Sequence, residues 1–584
     1  MKISEIHVKN YRNLIDVNIQ LNRLVIFIGE NNSGKSNLLK ALTLPFLNDE
    51  IGNISKNLGW HDININSKEK YFTFIQEKLE LIKNGEIGID EFSKYIPYVS
   101  VKITFEPEGA DEFYVSRWIN SFDGDTPLYT IRYQYYIENP KDLLDHIRKI
   151  LKDETTIENI KMNLLPIELF KYSIINPSTE EQISYTELAH FKYNSLVAER
   201  DDFSNKNTQI GSKALVNLLQ NKLSEDQKVE VEKSYENFFS DLKRISKLEG
   251  IFNWQNTSNL DNAKELFDQI TLLPNMPTMG SLLNNVRLGL GEEYLYTQGL
   301  GYRNLIYLLV ILNSLEVNSD MALNILTIEE PEAHLCISNE HILSSFINSI
   351  LSSSEQTQLF ISTHSSGFLN KLELKNVTVV SEGTAYSLKT ELDEAQLDYL
   401  AKKPNLDFLK FLFSRKCILV EGPTEEMLIR SYLNSQTNYL NDIEVISLHK
   451  GFTKMLDIWL KVNQNSTHRI GVIRDYDNQP KAQELHEKYN IYSNIYVTTT
   501  TRYTLEPEFV QTGSNFEKLK NYFANHHGWG NIDNPEDLSD KWREAKADTM
   551  LKFCQNFGTG DLSSIELPHH ISKVINFLQS REKM

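Results

Sequence analysis

The octapeptide GENNSGKS, at positions 29–36, constrains the fold of this chain more than any other stretch of its sequence. The apolar run VIFIG leads into it and the run NLLKALTLPFL follows it, so a buried strand should pass through a glycine loop into a helix. This context makes the pattern G-x-x-x-x-G-K-S typical of a phosphate-binding loop in an α/β domain. A glycine-rich turn with a purely structural role is the alternative.

Each residue type in this loop suits phosphate binding. Gly29 and Gly34 allow backbone angles that a Cβ atom would block, so successive N–H groups can turn toward a phosphate chain. The helix N-terminus adds partial positive charge, Lys35 should reach the β- and γ-phosphates, and the Ser36 hydroxyl should ligate Mg²⁺. The predicted nucleotide-binding residues are therefore Gly29, Asn31, Asn32, Ser33, Gly34, Lys35 and Ser36.

Length and composition indicate a multidomain globular protein. The 584 residues exceed what one compact core holds, so we expect roughly two to four domains. No apolar run is long enough to predict a membrane span, and the first residues lack the apolar core of a signal peptide. The three cysteines are far apart and suit a reducing compartment, so we expect a cytoplasmic protein.

The charge balance narrows the function only in part. With 60 basic and 79 acidic residues the net charge is −19, which argues against a protein that coats polyanions in general. The net charge does not exclude a nucleic-acid enzyme, because a metal-dependent site needs local carboxylates and only a local basic track for the strand.

A second apolar strand, NILTIEEPE at positions 324–332, ends in carboxylates. In a hydrolytic nucleotide site, Glu329 would hold Mg²⁺ through water and Glu330 would polarise the attacking water. Pro331 stops the strand, so both acids should lie at its C-terminal edge, where open α/β sheets bind ligands. The following strand, QLFIST, leads to His364, whose imidazole could sense the γ-phosphate.

Between the loop and these acids, the run TQGLG places Thr297 and Gly299 before an apolar helix. Together with the opening KISEIHVKNYRNL, this set resembles the ABC-type ATPases, especially their RecF/SMC-like branch of recombination and chromosome-maintenance proteins. The resemblance implies a homodimer in which Thr297 and Gly299 of one subunit complete the phosphate site of another. Thr297 stands where serine is usual, Glu329 stands where aspartate is commoner, and only Glu106 lies near the place of the usual glutamine. Slow or conditional hydrolysis is therefore expected.

A second acidic constellation follows in the last third of the chain. The run CILVEGPTEEMLI places Glu421 at a strand end and Glu425 in the next helix, and GVIRDYDNQ places Asp475 and Asp477 on one side of another strand edge. Converging carboxylates repel and raise one another's pKa unless a cation is present, and Mg²⁺ or Mn²⁺ prefers such oxygen ligands. A D-x-D pair in isolation is more often a solvated turn, and the ordered pair of motifs favours a metal site.

This order of motifs resembles a topoisomerase–primase (Toprim) module, and the whole chain resembles the overcoming-lysogenization-defect (OLD) family nucleases, including those of Gabija and retron systems. The resemblance implies a metal core of Glu421, Asp475 and Asp477 with Glu425 beside it. It also implies in-line attack of water on a phosphodiester with two metal ions.

Two further assignments from the resemblance leave alternatives open. The run TLEPEF offers Glu506, or else Glu508, as an additional metal ligand. The late lysine of the family corresponds to Lys546, or else Lys541, and would stabilise charge on the phosphate in the transition state.

The predicted fold class is α/β, with an ABC-type ATPase domain that carries a helical insertion and is followed by a Toprim domain. The ATPase domain should comprise residues 1–107 and 281–385, separated by a mainly helical insertion or dimerisation region at 108–280. Residues 386–413 should form a connector, and residues 414–584 a Toprim nuclease domain with helical C-terminal additions.

We therefore predict an ATP-regulated, divalent-metal-dependent endonuclease that nicks or cleaves DNA, with anti-phage defence as the role that the resemblance implies. The expected cofactors are ATP and Mg²⁺, or Mn²⁺. The expected partners are DNA, further copies of the chain in a homodimer or higher homo-oligomer, and a helicase-like or retron-encoded defence protein, with no membrane. The alternatives are a RecF/SMC-like DNA-repair ATPase whose Toprim module mainly binds nucleic acid, and an RNase. A topoisomerase or primase is disfavoured, because no Cys/His cluster and no recognisable catalytic tyrosine context is present.

Overall fold

A computed structural model of the chain describes residues 1–48, 56–151, 160–197, 210–246, 278–283, 286–316, 321–369, 372–402, 407–436, 442–448, 451–464 and 466–580. The chain divides into two compact units. The first comprises Met1–Val25 and Ser36–Leu372, and the second comprises Ile26–Lys35 and Glu373–Met584. Among the described residues, no helix is both long enough and apolar enough to cross a membrane.

The strands of the described residues are β1 (Lys2–Tyr11), β2 (Leu14–Gln20), β3 (Leu24–Ile28), β4 (Leu47–Asn48), β5 (Val99–Glu106), β6 (Ile119–Asp123), β7 (Thr126–Ile137), β8 (Phe170–Ile175), β9 (Phe191–Leu196), β10 (Gly289–Leu290), β11 (Glu293–Tyr294), β12 (Leu323–Glu329), β13 (Thr357–Ser362), β14 (Val377–Ser381), β15 (Thr384–Ser387), β16 (Lys416–Val420), β17 (Ile443–Ser447), β18 (Arg469–Arg474) and β19 (Ile495–Thr499).

The helices of the same residues are α1 (Lys35–Thr43), α2 (Ile65–Glu77), α3 (Leu79–Asn84), α4 (Ile89–Ser93), α5 (Glu112–Val115), α6 (Pro140–Leu151), α7 (Lys161–Leu164), α8 (Tyr185–Leu188), α9 (Ile210–Lys222), α10 (Glu225–Ser246), α11 (Met279–Leu283), α12 (Leu300–Glu316), α13 (Ile337–Ser353), α14 (Ser366–Leu369), α15 (Leu388–Glu391), α16 (Glu394–Lys402), α17 (Phe408–Phe413), α18 (Pro423–Ser435), α19 (Phe452–Asn463), α20 (Pro480–Glu487), α21 (Leu505–Val510), α22 (Asn515–His527), α23 (Pro535–Glu544), α24 (Lys546–Asn556) and α25 (His569–Gln579).

The first unit contains an antiparallel sheet in the order β2-β1-β5-β7-β6, with β8 paired to β7. Its strands alternate buried and partly exposed residues, as expected for a sheet that covers a core with one face. On β7 the rings of Tyr129, Tyr133 and Tyr135 are buried together with Ile131, and the alternate residues face the other way. The tyrosine-rich stretch therefore builds core.

The expectation of a mainly helical region at 108–280 is wrong for its first part. Residues 119–196 contribute the four strands β6 to β9, of which three belong to the antiparallel sheet. The stretch YTIRYQYYIE, which forms most of β7, alternates as a strand does, but short strands such as β9 carry too little periodicity to be told from helix or loop. Residues 198–209 and 247–277 lie outside the described part of the chain.

The first unit also contains neighbouring parallel strands in the order β13-β12-β9-β4. Strand β12 is apolar and buried up to its last residue, and β13 is buried throughout, as parallel strands covered on both faces are. The register pairs Glu329 at the end of β12 with Ser362 at the end of β13. Because both strands end level, the residues that follow them meet at one edge of this sheet.

In the second unit, β14 pairs in parallel with the end of β3, and β15 pairs antiparallel with β14. The same unit contains a four-stranded parallel sheet in the order β17-β16-β18-β19. Helix α25 packs closely on β18. The approach is so close that a Cβ atom at Gly471 would lie 2.2 Å from Cγ1 of Val574. A glycine at this point thus lets a covering helix approach the central strands.

Candidate nucleotide and metal sites

The phosphate loop adopts the strand–loop–helix path that its sequence predicts, with β3 ending at Ile28 and α1 beginning at Lys35. Gly34 has φ of +117°, a conformation that L-residues rarely adopt, and Asn32 has φ of +65°. The Lys35 ammonium donates hydrogen bonds to the carbonyl oxygens of Gly29, at 3.0 Å, and Glu30, at 2.8 Å. The lysine is buried and held across the loop.

Gly29 is required for a reason that differs from the predicted one. Its φ is not positive, but a Cβ atom here would lie 2.1 Å from the carbonyl oxygen of Val380 on β14. The glycine therefore permits the close approach of two backbones, whereas Gly34 supplies the unusual backbone angle.

Replacing Gly29 with alanine should destabilise the protein by about 1–3 kcal/mol, because the new methyl group must displace strand β14 or the loop. Nucleotide binding should weaken with it, since the loop shifts. Thermal melting and nucleotide titration check this result. Gly88→Ala is the matched control, because a Cβ atom at Gly88 meets nothing within 4 Å. A Gly29→Ala protein that melts and binds nucleotide like the Gly88→Ala protein would contradict this account.

Ser36, the last residue of the octapeptide, contacts the acidic strand. The Ser36 hydroxyl donates a hydrogen bond of 2.8 Å to Oε2 of Glu329. Glu330 follows at the edge, with φ of +45°, and its Oε1 lies 3.9 Å from Nε2 of His364. Four side chains far apart in sequence are thus brought together in two contacting pairs, which suits metal coordination by one pair and water activation by the other.

Glu332 is a residue of this edge that the sequence reasoning missed. Its Oε1 accepts hydrogen bonds from Oγ1 of Thr363, at 2.8 Å, and from the backbone N–H of His364, at 2.7 Å. Burial raises the pKa of its carboxyl group. The carboxylate therefore positions the turn that carries His364. The spacing in IEEPE was the available signal, because the proline turns the third acid back toward the sheet.

The predicted signature segment lies where a short turn enters helix α12. Gly299 directly precedes this helix, and the Thr297 hydroxyl donates to the carbonyl oxygen of Tyr294 at 2.7 Å. The role of Thr297 and Gly299 in a second subunit's site stays a prediction. Glu106, the residue nearest the place of the family glutamine, pairs with Lys2 at 3.0 Å at the end of β5.

The second acidic cluster forms at the C-terminal edge of the four-stranded parallel sheet. Glu421 directly follows β16, Asp475 directly follows β18, and Glu506 lies in helix α21 soon after β19. The registers pair Leu419 with Val472 and Arg474 with Thr499, so these three neighbouring strands end nearly level. Carboxylates separated by 85 positions in sequence, from 421 to 506, therefore share one edge.

Direct contacts organise this edge. The backbone N–H of Asp475 donates to Oε1 of Glu421 at 3.1 Å. The carboxylate of Glu425 accepts from the Thr424 hydroxyl at 3.1 Å, and that of Glu506 accepts from the Thr504 hydroxyl at 2.8 Å. Glu425 and Glu506 are both buried, with exposed fractions of 7% and 3%. Burying several acids side by side is costly even when each accepts a hydrogen bond, and a cation among them would lower that cost.

The electrostatics of the cluster agree with that interpretation. Burial, together with the neighbouring carboxylates of Glu425, Glu421, Glu506 and Asp477, raises the pKa of Asp475 to about 8. Burial likewise raises the pKa of Glu421. Within the described residues, no three acidic, histidine or cysteine side chains are placed so that they could hold an ion as they stand. The oxygen-only donor set nevertheless suits a hard divalent cation, around which the carboxylates would close.

The raised pKa of Asp475 predicts how the metal-free protein responds to pH. The folded state keeps this proton up to about pH 8, whereas the unfolded chain loses it near pH 4. The free energy of unfolding should therefore fall as pH rises through this interval, because the unfolded state binds fewer protons. In EDTA, Asp475→Asn should gain melting temperature relative to the parent from pH 5 to pH 8 and gain no more above it. A difference in melting temperature that does not change with pH would contradict the assignment.

Contacts with neighbouring residues narrow one of the two open choices, that between Glu506 and Glu508. Oε2 of Glu508 accepts hydrogen bonds from the Thr501 backbone, at 3.1 Å, the Thr501 hydroxyl, at 2.7 Å, and the Arg502 backbone, at 3.0 Å. This carboxylate holds a loop together, so Glu506 is the better candidate ligand. Lys546 begins helix α24, and the ammonium of Lys541 lies 5.3 Å from the ring centre of Trp529. The side chain of Lys546 lies outside what the structure describes, and the contact of Lys541 does not decide between the two lysines.

Arg474 is a charged residue of the cluster that the sequence reasoning left out. Its side chain is 5% exposed and its Nε lies 3.8 Å from Oε1 of Glu421. Its Nε and Nη1 atoms are buried and have no hydrogen-bond partner within the described part of the chain. The run IRDYD places Arg474 next to the acids in sequence, but whether its side chain points toward Glu421 depends on the parallel register of β16 and β18.

Comparisons with known families agree with both halves of the chain. A family described as "AAA ATPase domain" matches residues 1–369, and one described as "Overcoming lysogenization defect protein-like, TOPRIM domain" matches residues 412–477. The first match includes residues 108–280, which were predicted to be an insertion in the ATPase domain.

Individual proteins are also similar to this chain. Endonuclease GajA of Bacillus cereus strain HuB5-5 is 22% identical, over 99% of this chain and 96% of the relative. Endonuclease GajA of Bacillus cereus strain VD045 is 24% identical, over 74% of this chain and 68% of the relative. Among solved structures, the SMC head domain from Thermotoga maritima matches at 11% identity, over 66% of this chain and 97% of that chain, with a TM-score of 0.27.

The family assignment rests on the extent of the first match together with the geometry of the loop and the acidic strand. That match covers more than half of the 584 residues, and the second begins where the four-stranded parallel sheet begins. This chain belongs to the AAA ATPase domain family and carries an OLD-like TOPRIM domain downstream of its ATPase domain.

Proposed function

We propose that this protein is an endonuclease that cleaves DNA with divalent metal ions at the acidic edge of its TOPRIM domain, under the control of ATP bound at the Gly29–Ser36 loop. The observation that carries the proposal is the carboxyl group of Asp475, which lies partly buried among four other carboxylates. The printed name of the relatives, Endonuclease GajA, supports the same activity.

The carboxylates divide into two sets by position. Glu421, Asp475 and Asp477 follow the strand ends and would hold the metal, with Glu425 and Glu506 behind them as buried oxygen donors. A bound Mg²⁺ or Mn²⁺ would supply positive charge to the scissile phosphodiester and make the attacking water more acidic. The sheet edge holds these donors in a fixed order, because each is attached directly to a strand end or to the helix that follows it.

Cationic groups would complete the phosphate site. Arg474 contacts Glu421 through Nε, and its unpaired buried donors could turn to a phosphate oxygen once Glu421 engages a metal ion. Lys546 is proposed, by resemblance, to stabilise negative charge that develops on the phosphate in the transition state.

At the nucleotide site the residues have separate tasks. Lys35 would exchange its bonds to the loop carbonyls for phosphate oxygens, and Ser36 with Glu329 would hold Mg²⁺. Glu330 would take a proton from the attacking water, with His364 beside it at the γ-phosphate. A homodimer that places Thr297 and Gly299 against this site, and a role in defence against phage, are proposals that rest on the family resemblance.

The experiment that tests this function uses supercoiled plasmid DNA and, in parallel, structured RNA. The full-length protein is incubated with Mg²⁺, Mn²⁺ or EDTA, each with and without ATP. We expect nicked or linear DNA with either metal ion and none with EDTA. Intact plasmid under every metal and nucleotide condition would refute the nuclease, and cleavage of RNA alone would replace DNA by RNA as the substrate.

One contact suggests how nucleotide binding at the loop could affect the acidic edge of the TOPRIM sheet. Within the second unit, Oε1 of Glu30 lies 3.5 Å from Nε2 of His468. His468 is 6% exposed and directly precedes β18, whose other end leads into Asp475. A change in the loop on nucleotide binding can therefore move the strand that carries the acids.

Replacing His468 with glutamine should weaken this coupling. ATP should change the cleavage rate of the parent protein by at least about fivefold and that of His468→Gln by less than about twofold, since coupling free energies between sites fall in this range. Cleavage rates with and without ATP, and ATP titrations, make the measurement. His569→Gln, an exposed histidine of the same unit, is the control. An unchanged ATP response in His468→Gln would rule out this contact as the link.

A further inference from the structure

A cleft of about 430 Å³ lies on the antiparallel sheet of the first unit. Its lining residues take no part in the nucleotide or metal sites. The argument for a ligand depends on Tyr98, Arg132, Gln134, Tyr136, Ser173 and Glu180, which we call the Arg132 cleft. This volume falls within the range of small-molecule sites, roughly 300–1,000 Å³.

The sheet register gathers the polar residues of the cleft on one face. Gln134 on β7 pairs with Ser173 on β8, and Arg132 pairs with Ile175. The intervening Tyr133 and Tyr135 are buried on the opposite face. Because side chains alternate along a strand, Arg132 and Gln134 share a face with their cross-strand partners and are immediate or diagonal neighbours.

Two donors of this face lack partners. Ser173 is only 8% exposed, and its hydroxyl is buried without a hydrogen-bond partner within the described residues. The Nε atom of Arg132 is likewise buried and unpaired in that part of the chain. Unsatisfied buried donors are uncommon because they cost folding free energy, and an acceptor supplied by a ligand removes that cost. Phosphate or carboxylate oxygens are the acceptors that a guanidinium and a hydroxyl would share.

Aromatic rings line the other end of the cleft. Val99 on β5 pairs with Tyr135, so the same register places Tyr98 beside Tyr136. Tyr136 and Arg132 are four residues apart on β7, which is about 13 Å along an extended strand. The cleft thus offers an aromatic end and a cationic end, with the Gln134 amide between them. Glu180, exposed at its margin, supplies an acceptor for hydroxyl or amino groups.

We propose that the Arg132 cleft binds a nucleoside monophosphate. The phosphate would accept hydrogen bonds from Arg132 and Ser173, the base would lie against Tyr98 and Tyr136, and the ribose or base amino groups would face Glu180. A planar ring and a single anionic group at opposite ends match this arrangement better than an inorganic anion, which leaves the aromatic end without a partner. The site is independent of the phosphate loop and of the proposed nuclease activity.

The test measures binding of AMP, GMP, CMP and UMP to the full-length Lys35→Ala protein by calorimetry, so that the phosphate loop contributes little. Saturable binding is expected, weakened about tenfold or more by Arg132→Gln and about threefold or more by Ser173→Ala. Ser173→Ala removes a hydroxyl that has no partner, so its melting temperature should not fall. Lys149→Gln is the control, because this exposed lysine of helix α6 removes a positive charge from the same unit and does not line the cleft.

The possible outcomes decide the proposal. Loss of affinity in the two cleft variants with normal binding in the control supports it. Absence of binding by all four monophosphates at millimolar concentration overturns it, as does equal affinity in parent and variants. Inorganic phosphate that binds as tightly as the best monophosphate would overturn the role of the rings. A short single-stranded oligonucleotide that binds more tightly, with the same dependence on Arg132, would replace the free nucleotide by a nucleic-acid strand.

Discussion

Asp477→Asn should lose cleavage of plasmid DNA by at least about a thousandfold while the protein stays folded. Removal of one metal-binding carboxylate forfeits several kcal/mol of transition-state stabilisation, and each 1.36 kcal/mol is tenfold in rate. Asp477 has φ of +50°, a conformation that asparagine tolerates well, so the backbone should keep its path. The measurement is the initial rate of nicking with Mn²⁺, alongside thermal melting.

The matched control for this variant is Asp533→Asn, which removes the same charge from an exposed loop of the same unit. Its nicking rate should equal that of the parent. If Asp477→Asn nicks plasmid as fast as Asp533→Asn, the metal site does not include Asp477.

Lys35→Ala should weaken ATP binding by more than about a hundredfold. The ammonium group now donates two hydrogen bonds inside the loop, and charged donors of this kind contribute about 1.5–3 kcal/mol each when they meet phosphate oxygens. Fluorescent-nucleotide titration makes the measurement, and ATP hydrolysis should fall below detection with it. Lys40→Ala, on the same helix α1, is the control. Wild-type affinity in a folded Lys35→Ala protein would exclude the loop as the nucleotide site.

The sequence predicted those parts of the fold that depend on local pattern. The apolar runs around the loop, the acidic strand and the two strands of the second cluster all lie where their periodicity placed them. It could not show that Gly29 faces Val380, because that contact joins residues 351 positions apart. Nor could it show strand β9 beside β12, since a six-residue strand carries little periodicity.

The site residues divide in the same way. The contacts of Ser36 with Glu329 and of Glu330 with His364 were predictable from strand and helix ends. The two acids and the histidine lie at or just after the ends of parallel strands, and Ser36 lies in the first turn of the helix that follows the loop. The choice between Glu506 and Glu508 was not predictable from the sequence, since it depends on which carboxylate accepts hydrogen bonds from the loop at Thr501. The roles of Glu332 and Arg474 could not be predicted from the sequence for a related reason. Their importance follows from side-chain directions that register and turn geometry determine.

Anomalous diffraction from crystals soaked in Mn²⁺ tests the central claim, that the working metal ions lie at the edge of the TOPRIM sheet. We predict a manganese peak among the carboxylates of Glu421, Asp475 and Asp477, lost in Asp477→Asn crystals. With a nucleotide added, a separate peak should lie between Ser36 and Glu329. Manganese found only at the nucleotide loop, with or without bound DNA, would contradict the account.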